Sequence, residues 1–215
     1  MGSLKMSTSP HIPITALVFD IGNVVVKWDP RFAYKPLFDG REEELDYFLT
    51  HVCTLAWHTR HDQGVPFNDN ITRLQQQFPD HHEMIGLFET LWDQMFDGLI
   101  EETIALLYQL DAQQHPLYAL TNFPAEKFTR FQQKHAFTAL FKDSIVSGTE
   151  KITKPDPRLY EILLKRVGVA AQNILFIDDR MENLQAAEIF GIQTHLFTTP
   201  ARLEEDLISR DLLPD

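Results

Sequence analysis

The sequence has almost no cysteine and no long apolar run, and both absences narrow the possible classes of protein. Cys53 is the single cysteine among 215 residues, so an internal disulfide is excluded and a reducing cytoplasm is the natural compartment. No apolar stretch reaches the roughly 18 residues that a membrane-spanning helix needs, and no secretory signal opens the chain. We therefore expect a cytoplasmic protein without a membrane partner.

Basic residues are also scarce. Lysine and arginine number 19 against 31 acidic residues, which gives a formal net charge of −12. Because proteins that bind nucleic acids usually present a basic face, this composition argues against a nucleic-acid partner. A chain of this length can bury one core, or one core with an inserted subdomain. We expect it to be a monomer or a weak homodimer.

Short apolar segments alternate with helical patterns through most of the chain. The predicted strands are 16–19, 116–120, 144–146, 174–177 and 192–197. Short buried strands separated by helices are typical of an α/β fold with a doubly wound parallel sheet. We therefore assign residues 14–30 and 98–215 to a Rossmann-like core, and residues 1–13 to a flexible leader.

Residues 31–97 have a different pattern, with no predicted strand. Apolar residues at helical spacing predict three amphipathic helices, at 45–52, 71–78 and 84–95. We interpret the polar stretch 57–66 as a loop, because it contains Gly64 and Pro66. This block is predicted to be a small α-helical bundle inserted after the first strand of the sheet.

Polar residues follow the predicted strands of the core. These residues are Asp20, Thr121, Lys154, Asp178 and Asp179. Each has an ordinary explanation by itself, since acids and threonine at strand ends commonly cap helices or form turns, and lysine is commonly a solvated charge. Because the carboxyl ends of strands in an open α/β sheet meet at one edge, we expect the five residues to form one site.

Three carboxylates at one edge require positive charge nearby. Two carboxylates about 4.5 Å apart repel each other by roughly 3.7 kcal/mol at an effective dielectric constant near 20. Oxygen ligands on short loops, without cysteine or paired histidines beside them, suit Mg²⁺. The sequence therefore predicts a magnesium site that includes Asp20, Asp178 and Asp179.

The order and spacing of these motifs resemble the haloacid dehalogenase-like (HAD) hydrolase superfamily, in the branch with a helical cap inserted after the first motif. More narrowly, Phe19–Val24 and Phe176–Asp179 are similar to bacterial phosphatases that act on sugar phosphates such as glucose 1-phosphate. The resemblance implies a Mg²⁺-dependent phosphatase whose substrate is a small phosphorylated metabolite, most simply a sugar phosphate.

The resemblance also implies a role for each acidic motif. Asp20 would attack phosphorus and become an aspartyl phosphate. Mg²⁺ would be held by Asp20, the Gly22 carbonyl and Asp179, and Asp178 would bind it directly or through water. Asn183 would position Lys154 or a metal-bound water.

Substrate binding is implied at two places. Near the nucleophile, Thr121 and the backbone after it, together with Lys154, would bind the phosphate, and Asn23 and Asn122 lie beside these positions. In capped members the cap gives specificity, so Arg60 and His61 in the predicted loop are expected to contact the substrate. The aromatic residues Phe88, Trp92 and Phe96 are more typical of a packed core than of a binding surface.

Position 22 departs from the superfamily pattern. Most of its phosphatases have a second aspartate there, which protonates the leaving group and later activates water, whereas this chain has Gly22. General acid–base catalysis contributes roughly 10²- to 10⁴-fold. Either another group therefore acts as the general acid and base, or the leaving group departs readily without a proton, or the protein is a poor catalyst. Asp29, His58 and His61 are candidates for that group, although surface or capping roles are simpler for each. A side chain at position 22 would be unfavourable in a turn that needs the backbone freedom of glycine.

Two other functions stay open. A 2-haloacid dehalogenase uses the same nucleophile without a metal, although the additional acids Asp178 and Asp179 argue against a site that binds a carboxylate substrate. A catalytically impaired binding or regulatory protein would share the fold, but this chain retains Asp20, Lys154 and both further carboxylates.

Overall fold

The computed structural model describes residues 12–214, so positions 1–11 of the predicted leader lie outside the described part of the chain. The strands are β1 (Ala16–Phe19), β2 (Val26–Trp28), β3 (Phe96–Leu99), β4 (Leu117–Thr121), β5 (Phe141–Val146), β6 (Ile174–Asp178) and β7 (Gln193–Leu196). The helices are α1 (Pro30–Phe38), α2 (Glu42–Tyr47), α3 (Leu55–Asp62), α4 (Phe67–Gln77), α5 (His82–Gly86), α6 (Glu101–Ala112), α7 (Ala125–Lys134), α8 (Ser147–Glu150), α9 (Pro157–Val167), α10 (Met181–Glu188) and α11 (Pro200–Ser209).

Five strands form one parallel sheet in the order β5-β4-β1-β6-β7. β1 lies at the centre, where Leu17 is opposite Leu117 of β4 and Leu175 of β6. All four residues of β1 are buried, as expected for a strand that helices cover on both faces. The predicted α/β fold with a doubly wound parallel sheet is confirmed.

Alternate residues of β1 belong to different clusters of the core. Leu17 and Phe19 pack in a cluster that includes α6 and α11. Ala16 and Val18 pack in a second cluster, with α9 and α10. Because successive side chains of a strand point to opposite faces, the two clusters lie on the two faces of the sheet. Because the five strands are parallel, their carboxyl ends lie at one common edge of this sheet.

A two-stranded antiparallel sheet links the parallel sheet to the helical block. β2 leaves the first motif and β3 returns to the core, with Trp28 opposite Phe96. The prediction of no strand within residues 31–97 is wrong at its end, because β3 begins at Phe96. Its sequence, Phe-Asp-Gly-Leu, is too short and too polar to show an apolar alternation, and it forms a strand because β2 supplies the hydrogen-bond partners.

The stretch predicted as a loop, residues 57–66, begins inside helix α3. Thr54 caps this helix, since its side chain accepts a hydrogen bond from the backbone N–H of Trp57 at 3.1 Å. The buried face of α3 combines this tryptophan with two histidines and an aspartate. The apolar periodicity that marks an amphipathic helix is therefore missing from the sequence, and the loop prediction is wrong for this reason.

The third predicted helix, at 84–95, is interrupted. Helix α5 ends at Gly86, a residue that is unfavourable inside helices, and the chain continues through turns to a 3₁₀ segment at Trp92–Met95. The first two predicted helices correspond to α2 with the π-helical turn Phe48–Val52, and to α4. No helix within residues 12–214 has the length and apolar character that crossing a membrane requires.

Candidate active site

The charged residues predicted to share a site lie together at the carboxyl edge of the sheet. Asp20 follows β1, Asp178 ends β6, and Lys154 lies between α8 and α9. The Lys154 Nζ is 3.0 Å from Asp20 Oδ2 and 2.6 Å from Asp178 Oδ2. Lys154 is 4% exposed and Asp178 is fully buried, so a buried lysine joins the ends of two neighbouring strands.

The backbone of Lys154 is held by Asn122, the residue after β4. The Asn122 side-chain oxygen accepts a hydrogen bond from the Lys154 N–H at 2.8 Å, and its Nδ2 donates to the Lys154 carbonyl at 3.1 Å. Burial disfavours the charge of Lys154, but the carboxylates of Asp178 and Asp20 outweigh burial and raise the pKa of Lys154 above its ordinary value. Lys154 is therefore a fixed cation.

Asp178 accepts several further hydrogen bonds. The backbone N–H of Arg180 lies 2.8 Å from Oδ1, and Asn183 Nδ2 lies 2.9 and 3.1 Å from the two carboxylate oxygens. A carboxylate has about four acceptor positions, so those of Asp178 are largely occupied. Asp178 and Asn183 thus position Lys154, and Asp20 and Asp179 keep more capacity for a metal ion.

The cluster contains more negative than positive charge. Carboxylate oxygens of Asp20, Asp178 and Asp179 lie within 4.8 Å of one another. Burial raises the pKa of Asp20 to about 7, with Lys154 opposing the rise and the other two acids adding to it. Burial and the charge of Asp178 also raise the pKa of Asp179. A second cation would remove this repulsion, and clustered carboxylate oxygens are ligands that Mg²⁺ prefers. The residues present therefore fit the predicted magnesium site.

The turn after Asp20 does not depend on glycine. The Asp20 Oδ1 accepts a hydrogen bond from the Ile21 N–H at 2.7 Å. Asn23 adopts the left-handed conformation, with φ of 55°, and its Oδ1 accepts from the Trp28 N–H at 3.0 Å. Apart from the neighbours Ile21 and Asn23, no atom of the described residues lies within 4 Å of a Cβ placed on Gly22, whose φ is not positive. The expectation that position 22 needs glycine is therefore wrong.

A cavity of about 400 Å³ opens beside these residues. One part of its lining is polar and includes the predicted site residues Asp20, Gly22, Asn23, Asn122, Lys154 and Asp179. Another part is apolar and consists of Trp28, Leu55, Trp92, Phe96 and Phe123. A cavity of this size and mixed lining suits a small-molecule ligand.

Two predicted substrate-binding residues, Arg60 and His61, do not line the cavity. His61 is 1% exposed, its ring stacks on Phe67 with 4.0 Å between ring centroids, and its Nε2 lies 3.2 Å from Asn70 Nδ2. The prediction for His61 is wrong because α3 is a helix that places this side chain inside the bundle. Arg60 is half-buried on the same helix, outside the described cavity lining.

We expect His61→Ala to destabilise the fold rather than to change substrate preference. The ring stacks on Phe67 and meets Trp57 edge-on at 4.9 Å, and emptying such a buried position costs roughly 2–4 kcal/mol. Urea unfolding, measured alongside rates on several phosphate esters, checks this. The exposed Arg73→Ala on α4 is the control and should alter neither quantity. A new substrate order at unchanged stability would contradict the expectation.

Thr121 is the last residue of β4, directly before Asn122. It is 1% exposed and is not among the described residues that line the cavity. Its position at the strand end agrees with the sequence pattern, while its contact with a phosphate group stays a prediction.

The three residues considered as proton donors lie in different places. Asp29 caps α1, where its Oδ1 accepts a hydrogen bond from the Arg31 N–H at 2.8 Å, so the capping interpretation holds. His61 is inside the bundle. His58 lines the cavity, but burial, together with the neighbouring His61, lowers its pKa to about 3. The His58 ring is therefore neutral and lacks the extra proton of an acid catalyst.

Two features of the cavity were not predicted from the sequence. As expected, Trp92 lies in the core, at 3% exposed, and Phe96 packs against it, but both also line the cavity, which was not predicted. The other feature is Asp62, which the loop prediction left unassigned and which α3 brings into the lining. The available signals were the capping residue Thr54 and the i, i+4 spacing of His58 and Asp62.

The motifs, the sheet and the site agree with a known family. A family model for haloacid dehalogenase-like hydrolases matches residues 14–191. The chain belongs to this family. The resemblance stated from the sequence motifs and the expected class of enzyme, a hydrolase, are both confirmed.

Similar proteins include phosphatases. The chain is 35% identical over 88 residues to the sesquiterpene phosphatase astK of Aspergillus oryzae, a match that covers 41% of this chain and 45% of that protein. It is 25% identical over 205 residues to flavin mononucleotide hydrolase 1 of Arabidopsis thaliana, covering 94% and 79%. The chain therefore spans about half the length of the first of these two relatives.

Solved structures share the fold. A HAD family enzyme of Bacteroides thetaiotaomicron, in a magnesium complex, superposes with a TM-score of 0.66 at 18% identity, covering 87% of this chain and 95% of that one. A dehalogenase superposes with a TM-score of 0.60 at 19% identity, covering 84% and 83%. At this identity the similarity establishes the fold alone.

Proposed function

We propose that the protein is a Mg²⁺-dependent phosphatase that hydrolyses a small phosphomonoester through an aspartyl phosphate on Asp20. The observation that carries this proposal is the surroundings of the Asp20 carboxylate. It lines the cavity, lies 3.0 Å from the Lys154 Nζ, and has oxygens of Asp178 and Asp179 within 4.8 Å. At this position the nucleophile lies beside Lys154, a fixed cation that can bind the phosphoryl oxygens, and beside carboxylate oxygens that can bind a metal ion. The names of the similar phosphatases support the same reaction class.

The side chains of the site account for the two chemical steps. An Asp20 oxygen attacks phosphorus, and the bond from phosphorus to the ester oxygen breaks with its electron pair left on that oxygen. Lys154 neutralises charge on the nucleophile and on the transferred group, while Thr121 and the backbone that follows it would bind the phosphate oxygens. Water then attacks the phosphorus of the aspartyl phosphate and releases Asp20.

The metal ion would be held by Asp20, the Gly22 carbonyl and Asp179, with Asp178 binding it directly or through water. When bound, it supplies positive charge that offsets the repulsion between the Asp20 carboxylate and the phosphate dianion.

We infer that residues 31–97 act as a cap over the core formed by residues 14–30 and 98–215. This block contributes Leu55, Asp62 and Trp92, among others, to the cavity lining. An ion pair fastens it to the core, with Lys127 Nζ 3.0 Å from Glu89 Oε1. A covered cavity favours a small metabolite over a folded phosphoprotein.

The cavity also bears on the leaving group. Trp28, Trp92 and Phe96 offer flat apolar surfaces, and the C–H face of a sugar ring packs well on such surfaces. We therefore retain a sugar phosphate as the proposed substrate. The same lining favours a second candidate, an aryl or prenyl phosphate, and the similarity to a sesquiterpene phosphatase supports that candidate as well.

The alternatives from the sequence have less support. A metal-free haloacid dehalogenase would have to bind its carboxylate substrate beside the additional acids Asp178 and Asp179, which would repel it, and the similarity to a dehalogenase extends only to the fold. An impaired binding protein would have no need of a carboxylate cluster able to hold a metal ion beside Asp20, whereas the contacts of Lys154 with Asp20 and Asp178 also stabilise the fold.

Phosphate release from sugar, aryl and prenyl phosphates, with Mg²⁺ and with chelator, tests the proposal. We expect release with Mg²⁺ and none in chelator, because the acids of the site otherwise repel the phosphate dianion. The preferred ester decides between the two substrate classes. Undiminished rates in chelator would contradict the metal assignment, and halide release from a 2-haloacid without Mg²⁺ would favour the dehalogenase.

A further inference from the structure

Position 22 has no carboxylate, and one acid of the helical block lines the same cavity. We propose that Asp62, the last residue of helix α3, is the general acid and base of this site, an assignment that rests on the proposed phosphatase function. Asp62 lines the same cavity as Asp20 and Lys154. It reaches the cavity from the helical block, whereas Gly22 belongs to the turn after the nucleophile.

Among residues 12–214, Asp62 is a buried acid that forms no ion pair with a lysine or an arginine. It is 5% exposed, and its Oδ1 has no hydrogen-bond partner among residues 12–214. Its Oδ2 lies 3.5 Å from the Nε2 of His58, whose neutral ring stacks on Trp92 with 5.2 Å between centroids. A buried carboxyl group with a free oxygen is unfavourable for stability alone. The ester oxygen of a bound substrate would supply the missing partner.

The surroundings favour the protonated form of Asp62. Burial raises its pKa well above the ordinary value for aspartate, the charge of Asp20 raises it further, and Lys154 opposes the rise. The carboxyl group therefore keeps its proton to a higher pH than an exposed aspartate would, as a general acid must. That the charges of Asp20 and Lys154 affect the pKa of Asp62 also agrees with the position of all three residues around one cavity.

The end of α3 is fixed against the segment that carries Lys154. The Nε2 of Gln63 donates a hydrogen bond to the Thr153 Oγ1 at 3.3 Å. Gly64, with φ of 83°, passes so close to α8 that a Cβ there would lie 3.0 Å from the Gly148 carbonyl oxygen. These contacts follow Asp62 directly in the chain, so the end of α3 that carries Asp62 is held against the segment that carries Lys154.

The proton transfers balance over one turnover. As Asp20 attacks and the bond from phosphorus to the ester oxygen breaks, Asp62 gives its proton to that oxygen, and a neutral alcohol leaves. Asp62 is then a carboxylate. As water attacks the aspartyl phosphate, Asp62 takes one proton from that water, and the electron pair of the breaking bond returns to Asp20. The products are alcohol and inorganic phosphate, and Asp62 is again protonated.

The test compares two esters in the wild type and in Asp62→Asn, with Mg²⁺ present. The leaving group of p-nitrophenyl phosphate departs without a proton, whereas that of ethyl phosphate needs one. We expect the variant to hydrolyse ethyl phosphate roughly 10²- to 10⁴-fold more slowly. Its first turnover of p-nitrophenyl phosphate should slow by less than about tenfold, because general-acid help is then small. The later turnovers should slow strongly, which gives a burst of one p-nitrophenolate per site.

Two further variants separate a catalytic role from a structural one. Asparagine matches the shape of a protonated aspartate, so Asp62→Asn should unfold at the same urea concentration as the wild type. If Asp62→Asn is less stable than that, Asp62→Ser provides the same kinetic comparison. Asp69→Asn, an exposed change on α4, should behave as wild type. Because a Cβ fits at position 22, adding Gly22→Asp to Asp62→Asn should restore ethyl phosphate hydrolysis at least tenfold.

The outcomes distinguish this assignment from the proposed function. An active wild type whose Asp62 variants slow the first turnover of both esters by the same factor, or of neither, overturns the role of Asp62 and leaves the phosphatase in place. A wild type that releases phosphate from neither ester, nor from any ester of the panel, overturns both.

Discussion

Asp20→Asn is expected to abolish phosphate release and to leave the fold intact. An amide has the shape of a carboxylate but cannot attack phosphorus, and removal of a covalent nucleophile lowers rates on the order of 10⁴- to 10⁶-fold. The Ile21 N–H can still donate to the asparagine carbonyl, and Lys154 keeps its 2.6 Å contact with Asp178. Single-turnover rates and urea unfolding, measured on the same preparation, check both halves of the prediction.

Asp143→Asn is the control for this change. Asp143 forms an ion pair with Arg166 outside the cavity, so the control also removes a carboxylate from an ion pair, and its activity should equal that of the wild type. Activity in Asp20→Asn within tenfold of the wild type would show that another residue is the nucleophile.

Lys154→Met should have the largest effect on stability. It leaves Asp178, which is fully buried, and Asp20 without their shared cation, and removing one partner of a buried ion pair costs about 3–5 kcal/mol. Turnover should fall as well, because the phosphoryl oxygens lose their fixed cation. Mg²⁺ should return part of the lost stability, since it replaces some of the missing charge. Urea unfolding with and without Mg²⁺ measures both effects.

Lys127→Met provides a matched comparison. Lys127 is also buried, at 8% exposed, but its partner Glu89 keeps 45% of its side chain exposed. Water can therefore solvate the acid that remains, and we expect a loss of less than about 1 kcal/mol, as for an exposed pair, with turnover unchanged. Equal losses of stability in Lys154→Met and Lys127→Met would show that the buried contacts of Lys154 with Asp20 and Asp178 stabilise the fold no more than a partly exposed ion pair does.

The sequence was sufficient for the core and for the charged part of the site. The strands that end at Asp20, Thr121 and Asp178 are short and fully apolar, and such segments have few alternatives to a central position in a parallel sheet. Once the sheet is parallel, its carboxyl edge brings the motif residues together. The position of Lys154 against Asp20 and Asp178 thus follows from the strand order and the motifs.

The helical block was harder to predict because its buried surface is partly polar. Helix α3 buries His58, His61 and Asp62 beside Trp57, and these polar side chains hide the helical periodicity. Their packing depends on partners distant in sequence, such as Phe67, Phe88 and Trp92. A short sequence window contains none of those contacts, so the one acid of α3 that reaches the cavity was not recognised.

The same limit applies to the aromatic lining. Phe88, Trp92 and Phe96 look alike in sequence, and Phe88 is indeed completely buried. The interruption of the predicted helix after Gly86 and the start of β3 at Phe96 bring the other two to the cavity as well as to the core. Their role was decided by backbone geometry that residue types alone do not determine.

Trapping the covalent intermediate tests the central claim most directly. The protein is mixed with Mg²⁺ and a hydrolysed ester, quenched in acid within the first turnover, digested, and its peptides are weighed by mass spectrometry. We expect one phosphoryl group on the peptide that contains Asp20, at an amount that rises in Asp62→Asn with p-nitrophenyl phosphate. Phosphate release without any phosphorylated peptide, or a phosphoryl group on another residue, would contradict the assignment of Asp20 as the nucleophile.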